Sequence, residues 1–261
     1  MNIKKTVTGI LVSAATFVLA SCGVQIQMEN AEPAQTNLGR GTMIRFARPG
    51  DKISRKLCHA IANRIIQDGY YTIRSGKTDG RMVFLEIMNA KLKTTTSSNS
   101  SYTDLIATIR IRDYVDRELY RTRIKERVDE DSYDNLYVDD ACRAIALTVM
   151  QDLTPHSVTY KEKVSPDDDN PSLELAAKAC AAGNWEQGKH YARQAITARP
   201  DDPEAYYLMG LIERNALNYA QSTAYFEKAD SIDSESKYKA AIIKNATLAT
   251  KDEHVRQQLS N

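Results

Sequence analysis

The sequence predicts two folded parts: an α+β domain over residues 42–164, and an all-α stack of helical hairpins over 172–250. The first is expected as an antiparallel sheet with two helices on one side. Three observations carry this. Apolar residues alternate along the stretches between Met82 and Val128, the period of a half-buried strand. Residues 51–68 and 136–153 space their apolar residues as a helix does. From Gly183 to Ser234 the chain resembles itself at an offset of 34 residues.

The N-terminal residues 1–21 carry Lys4 and Lys5 and then an apolar run from Val7 to Ala20. Positive charge, a short apolar core and small residues make a secretory signal pattern. The run is shorter than the ~20 residues a membrane-spanning helix needs. Leu19-Ala20-Ser21-Cys22 resembles the bacterial lipobox. The alternative is an ordinary signal peptide with an accidental cysteine. The resemblance implies that Cys22 becomes the first mature residue and carries a diacylglycerol thioether and an N-acyl chain, palmitate among the candidates. No aspartate follows Cys22, which resembles outer-membrane sorting, with the protein facing the periplasm. Residues 22–41 are polar and punctuated by Gly and Pro, so they are expected to form a flexible tether.

Met43–Ala47 reads as a short strand stopped by Pro49-Gly50. Asp51 is placed to cap a helix bearing Leu57, Cys58, Ile61, Ala62, Ile65 and Ile66 inward, with Gly69 ending it. Tyr70–Arg74 reads as the next strand and 75–80 as a turn. Strands are expected at Met82–Leu92, Leu105–Arg112 and Leu119–Val128, with a polar loop over 93–101. The second helix, 136–153, should turn Ala141, Cys142, Ile145, Ala146, Val149 and Leu153 inward. Pro155 stops it, and Ser157–Lys161 could return as an edge strand. This order resembles the envelope lipoprotein family that includes activators of peptidoglycan synthases and the curli secretion-channel subunit. The resemblance implies a role in regulating cell-wall synthesis or in assembling an export complex.

Ser165–Pro171, with two prolines and three consecutive aspartates, reads as a linker. Beyond it, Trp185 and Tyr219, Tyr191 and Tyr225, Ala192 and Phe226, and Ala195 and Ala229 each stand 34 residues apart. That period marks stacked helix–turn–helix units. With Gly183, Gly188, Pro200, Met209-Gly210 and Ser222, the pattern resembles the tetratricopeptide (TPR) repeat: two repeats, then a capping helix over about 236–250, then a tail over 251–261. The resemblance implies a groove that binds protein partners, lined here by Tyr207, Leu211, Arg214, Asn215, Asn245 and Leu248. Ala177, Cys180 and Ala181 would form its floor. The alternative is that Tyr207 and Leu211 pack against the capping helix or the first domain.

Charge is close to balanced. Without Lys4 and Lys5 the mature chain has 33 basic and 34 acidic residues, a net −1. Nothing draws the whole protein toward nucleic acid. Locally, Arg45, Arg48, Lys52, Arg55 and Lys56 form a basic patch, which either docks on anionic glycan, lipid or an acidic partner, or is a solvated face balanced by the acids of 129–140. The four histidines are scattered, without metal-ligand spacing. No nucleophile-elbow, Walker or dinucleotide-binding glycine pattern occurs. No catalytic residue, metal or cofactor is expected beyond the lipid on Cys22. Cys58, Cys142 and Cys180 sit on inward helix faces and read as small buried hydrophobes, a Cys58–Cys142 bridge being the alternative.

The resulting expectation is a lipid-anchored adaptor that grips a protein of the cell envelope through its helical groove. The competing expectation is a glycan- or lipid-binding lipoprotein that works through the basic patch, with the helical stack structural.

Overall fold

The computed structural model describes residues 23–73, 81–97, 101–128 and 135–260. The expected signal peptide, Cys22, the turn at 75–80 and the acidic run 129–134 lie outside them. No helix among the described residues is long and apolar enough to cross a membrane. The elements in order are β1 (Val24–Glu32), β2 (Met43–Phe46), α1 (Lys52–Asp68), β3 (Thr72–Ile73), β4 (Met82–Thr96), β5 (Ser101–Arg112), β6 (Glu118–Val128), α2 (Asn135–Leu153) and β7 (His156–Val164), followed by α3 (Pro171–Ala181), α4 (Trp185–Ala198), α5 (Pro203–Asn215), α6 (Tyr219–Ile232) and α7 (Ser236–Ser260). They divide into two compact units. One joins the described residues up to Gln27 with Lys161–Ile242; the other joins Met28–Tyr160 with the chain from Ile243 onward.

The second unit is α+β. Its five strands lie in the order β3-β2-β4-β5-β6. β4, β5 and β6 form an antiparallel meander, whereas β2 runs parallel to both β3 and β4. The sheet is therefore mixed rather than antiparallel throughout. The reason is α1, which carries the chain back after β2 so that β3 starts from the same end. One core holds both helices against one sheet face: Leu57, Ile61 and Ile65 of α1 and Cys142, Ile145 and Val149 of α2 meet Val83, Leu85, Leu105, Ala107, Ile109 and Ile111. Asp51 caps α1, accepting from Ser54 N at 2.8 Å, and Gly69 ends it in the left-handed region at φ 66°. Every inward residue expected of α2 is buried. Ile66, expected inward on α1, is exposed.

Three sequence expectations are corrected here. The polar loop over 93–101 is mostly strand: β4 runs to Thr96 and β5 starts at Ser101, with the Thr94 and Thr103 hydroxyls 2.9 Å apart. Threonine suits a pleated ladder, so polarity there did not mean loop. The tether at 22–41 is structured from Val24. β1 pairs with β7 in a separate two-stranded antiparallel sheet, burying Ile26 and Met28, and Ala34 and Leu38 are buried beyond it. Of the tail expected at 251–261, residues 251–260 continue α7, whose Gln258 exchanges two hydrogen bonds with the backbone of Ala34 (2.8 and 3.0 Å) and whose Lys251 pairs with Glu32 at 2.5 Å. Supposed tether and supposed tail hold each other.

The first unit is helical. Its hairpins, α3–α4 and α5–α6, repeat at 34 residues in detail. Trp185 and Tyr219 open α4 and α6, and Asn184 and Asn218 precede them. The inner turns match bond for bond: Gly183 N donates to Cys180 O, and Leu217 N to Arg214 O. Asn184 N donates to Ala179 O, and Asn218 N to Glu213 O, all at 2.9 Å. Gly183 and Leu217 take positive φ, 79° and 61°. The helices of each hairpin cross at small residues. A Cβ on Gly188 would strike Cys180, and one on Gly210 would strike the Phe226 ring. Ser222 Oγ donates to Gly210 O at 2.8 Å.

Candidate functional site

In the helical unit, Asp202 caps α5 by accepting from Glu204 N at 3.0 Å, and Pro203 supplies the first helical residue. The helix then sets Tyr207, Leu211 and Arg214 on one face. Sequence reasoning expected these to line an open groove, but they are 3%, 0% and 2% exposed. Their face is covered by the chain's own β7 and the first turns of α7. Glu162 of β7 accepts from Tyr207 Oη at 3.1 Å and from Arg214 Nη1 at 3.0 Å. Arg214 Nη2 donates to Ala241 O at 2.8 Å, and its guanidinium lies 4.7 Å from the Phe226 ring centroid. Tyr238 of α7 packs near Tyr207 and donates to Glu204 Oε1 at 2.8 Å. Glu204 also pairs with Lys237 and accepts from Ser165 N at 2.9 Å. Burial holds the Tyr238 phenol above its ordinary range.

Packing, not an open groove, is therefore the role of Tyr207, Leu211 and Arg214 in this structure. Asn215 is only half-buried. Asn245 and Leu248, expected in the same groove, belong to the α+β unit and are buried there. Of the expected floor, Ala177 and Cys180 are buried and Ala181 is exposed. The partner for Arg214 comes from Glu162, 52 residues upstream, which no local pattern announces.

The expected basic patch does not form one face. Ile44 points to the core, so its neighbour Arg45 must point to the opposite, helix-free face of the sheet. Lys52, Arg55 and Lys56 stand on α1, which packs on the other side. Arg48 lies in the connection between β2 and α1, and Lys56 is committed to Asp139 at 2.8 Å.

The helix-free sheet face holds a cationic row that sequence reasoning missed. Arg121, Arg123, Lys125 and Arg127 of β6 take alternate positions and are all exposed. Across the register, Arg123 sits opposite Thr108 and Lys125 opposite Ile106, whose partner on β4 is Lys91. Part of the charge is neutralised within the sheet. Glu86 holds Arg112 at 2.6 Å and Arg110 at 3.5 Å, and Glu118 holds Arg121 at 2.6 Å. Asp104, 2% exposed, pairs with Lys125 at 2.8 Å, and Arg127 lies 4.1 Å from the Tyr102 ring centroid. Arg45, Lys91, Lys93 and Arg123 have no acidic partner among the described residues. The period-two cations were visible in the sequence, but the alternation was read only for its apolar half.

Cys58, Cys142 and Cys180 are free and buried, and burial raises their thiols to about 11, 11 and 12. The alternative Cys58–Cys142 bridge is absent.

No protein-family model matches the sequence, and no curated protein does. Among solved structures, the chain is similar to a PDZ domain protein from Parabacteroides distasonis at 16% identity and TM-score 0.30, over 53% of this chain and 40% of that one. It is also similar to protein XCC0632 from Xanthomonas campestris, at 11% identity and TM-score 0.31, over 46% of this chain and 83% of that one. Lipoprotein GNA1162 from Neisseria meningitidis aligns at 11% identity and TM-score 0.28, over 42% and 98%. The chain spans less than half of the first of these, and at such scores the likeness carries no argument about function. The solved structures that this chain resembles thus include a bacterial lipoprotein.

Proposed function

We propose that the protein is a lipid-anchored, non-catalytic binding component of a bacterial envelope, held at Cys22 on the outer membrane and facing the periplasm. Its α+β unit binds an anionic envelope glycan or lipid headgroup on the helix-free sheet face, and the helical unit is structural. The observation that carries this is Arg123: exposed in the centre of the β6 row and without an acidic partner among the described residues, with Lys91 and Lys93 likewise uncommitted on β4. A surface with surplus cations attracts polyanions, and the attraction weakens with salt. The test is co-sedimentation of the full protein with purified sacculi and with anionic vesicles. Charge reversal at Arg123 and Lys91 should lower binding severalfold at low salt, whereas reversal at Arg55 on the far side should leave it intact. Equal binding by all three proteins rejects this reading.

A second reading keeps the adaptor role, with the TPR-like helical unit gripping a protein of the envelope machinery and so serving cell-wall synthesis or export-complex assembly. It is favoured by the convergence of Tyr207 and Arg214 on a single carboxylate, a chemistry that a partner's acidic residue could share. Such a partner would have to displace Glu162. Crosslinking in intact cells should then recover different proteins with a Tyr207→Phe/Glu162→Gln variant than with the native chain, and an unchanged set rejects the groove.

A further inference from the structure

Lipoproteins with long tethers place their folded body away from the membrane. We infer that this one cannot. The end of the β1–β7 ribbon is held in the lipid headgroup layer, with Lys161 and Lys163 facing the phosphates. The inference rests on the reading that Cys22 carries the lipid.

The covalent distance comes first. β1 begins at Val24, so Gly23 alone separates it from Cys22. Neighbouring Cα atoms are ~3.8 Å apart, which leaves no slack. Gly23 is itself fixed against the end of β7: a Cβ there would lie 2.5 Å from Val164 O, 2.7 Å from Lys163 Cε and 2.9 Å from Ser165 Oγ. The acyl chains must be in the bilayer, so the residues packed on Gly23 lie within roughly 10 Å of it, one Cα step plus the cysteine side chain and glyceryl group.

The charge of the ribbon fits that position. Within the helical unit, the outward positions of the ribbon are Gln25, Gln27, Lys161 and Lys163, all exposed, with no carboxylate among them. Glu162 points to the other side, held by Arg214 and Tyr207. Neither Lys161 nor Lys163 has an acidic partner among the described residues, and the charge of Lys163 helps to depress Lys237. Glu29, the next outward residue of β1 after Gln27, belongs to the α+β unit. The exposed aspartates at 167–169 follow Val164 by three to five residues, and Asp167 is taken by Arg199 at 3.3 Å. A cation near the surface adds to acyl anchoring.

The test uses the full lipidated protein, purified from membranes and reconstituted into vesicles of phosphatidylethanolamine and phosphatidylglycerol with a nitroxide on the headgroup of a trace lipid. A fluorophore is placed at Gln25→Cys, an exposed site, while the native thiols stay buried. A parallel protein carries a twenty-residue Gly/Ser insert, starting with Gly, directly after Cys22, which allows ~25 Å of reach. The native chain should be quenched at least threefold more strongly than the extended one. Adding K161E and K163E to the native-length chain should weaken quenching, and no change removes the lysines from the contact. The acylation state of Cys22 is read by mass on the same samples. Acylated Cys22 with equal quenching in both lengths overturns the inference and leaves the anchor standing, whereas unmodified Cys22 overturns both.

Discussion

Arg214 and Glu162 form an ion pair at 3.0 Å with the arginine side chain 2% exposed and the glutamate 16%. A pair this enclosed is asymmetric in its energetics. Forming it gains little net stability, whereas removing one member strands the other without solvent. Arg214→Ala should therefore destabilise the protein by about 3–5 kcal/mol, and Glu162→Ala by a similar amount. The double variant should cost clearly less than the sum of the two, with the difference read from urea unfolding midpoints. Additive losses would show that the two side chains are not coupled.

Gly210 faces the ring of Phe226, which is fully buried. Gly210→Ala should cost about 1–3 kcal/mol through overpacking. Trimming the ring in a Gly210→Ala/Phe226→Leu protein should recover part of that loss relative to Phe226→Leu alone. If Gly210→Ala instead raises the melting temperature, the helices do not cross as closely as described.

Leu217 occupies the position that Gly183 fills in the first hairpin, at φ 61° and 54% exposed. A left-handed residue with a Cβ costs roughly 1 kcal/mol. Leu217→Gly should relieve this and raise the melting temperature by about 2–4 °C. Gly183→Leu should lower it by a similar amount. A lower melting temperature for Leu217→Gly would mean that the side chain contributes more by packing than the backbone loses.

Burial raises all three thiols, Cys180 to about 12. At pH 8 the native protein should react with iodoacetamide far more slowly than the urea-unfolded chain, in which all three should modify readily. Stability should follow the same shifts. Below about pH 9 both states keep neutral thiols and nothing is lost. Above it the unfolded thiols ionise while the folded ones do not, so stability should fall between about pH 9 and 11. A flat stability profile over that window contradicts the burial of Cys58 and Cys142.

The legible parts of this fold are those in which one element meets one neighbour. α2 packs on a single sheet face, so every residue its apolar stripe named is buried, and Met150 alone of its apolar core residues was missed. The 34-residue period located the turns of both hairpins, because the same backbone bonds recur there. β1 was misread although Val24, Ile26 and Met28 alternate with Gln25, Gln27 and Glu29; the polar flanks outweighed a short signal. α7 was cut short because its buried stripe, Tyr238, Ala241, Asn245, Leu248, Asp252 and Val255, contains two polar residues. Tyr207, Leu211 and Arg214 were correctly set on one helix face, yet exposure depends on what arrives from elsewhere in the chain. Glu162 arrives from β7, and helical periodicity contains no information about that.

The cations of β6 bear on self-association as well as on ligand binding. β6 is an outermost strand of the described sheet, and an uncovered strand edge invites a second molecule to extend the ladder. Two copies approaching along β6 would bring the Arg121, Arg123, Lys125 and Arg127 rows against each other about 5 Å apart. Like charges at that spacing repel strongly, so molecules crowded side by side would resist fusing their sheets into fibrils.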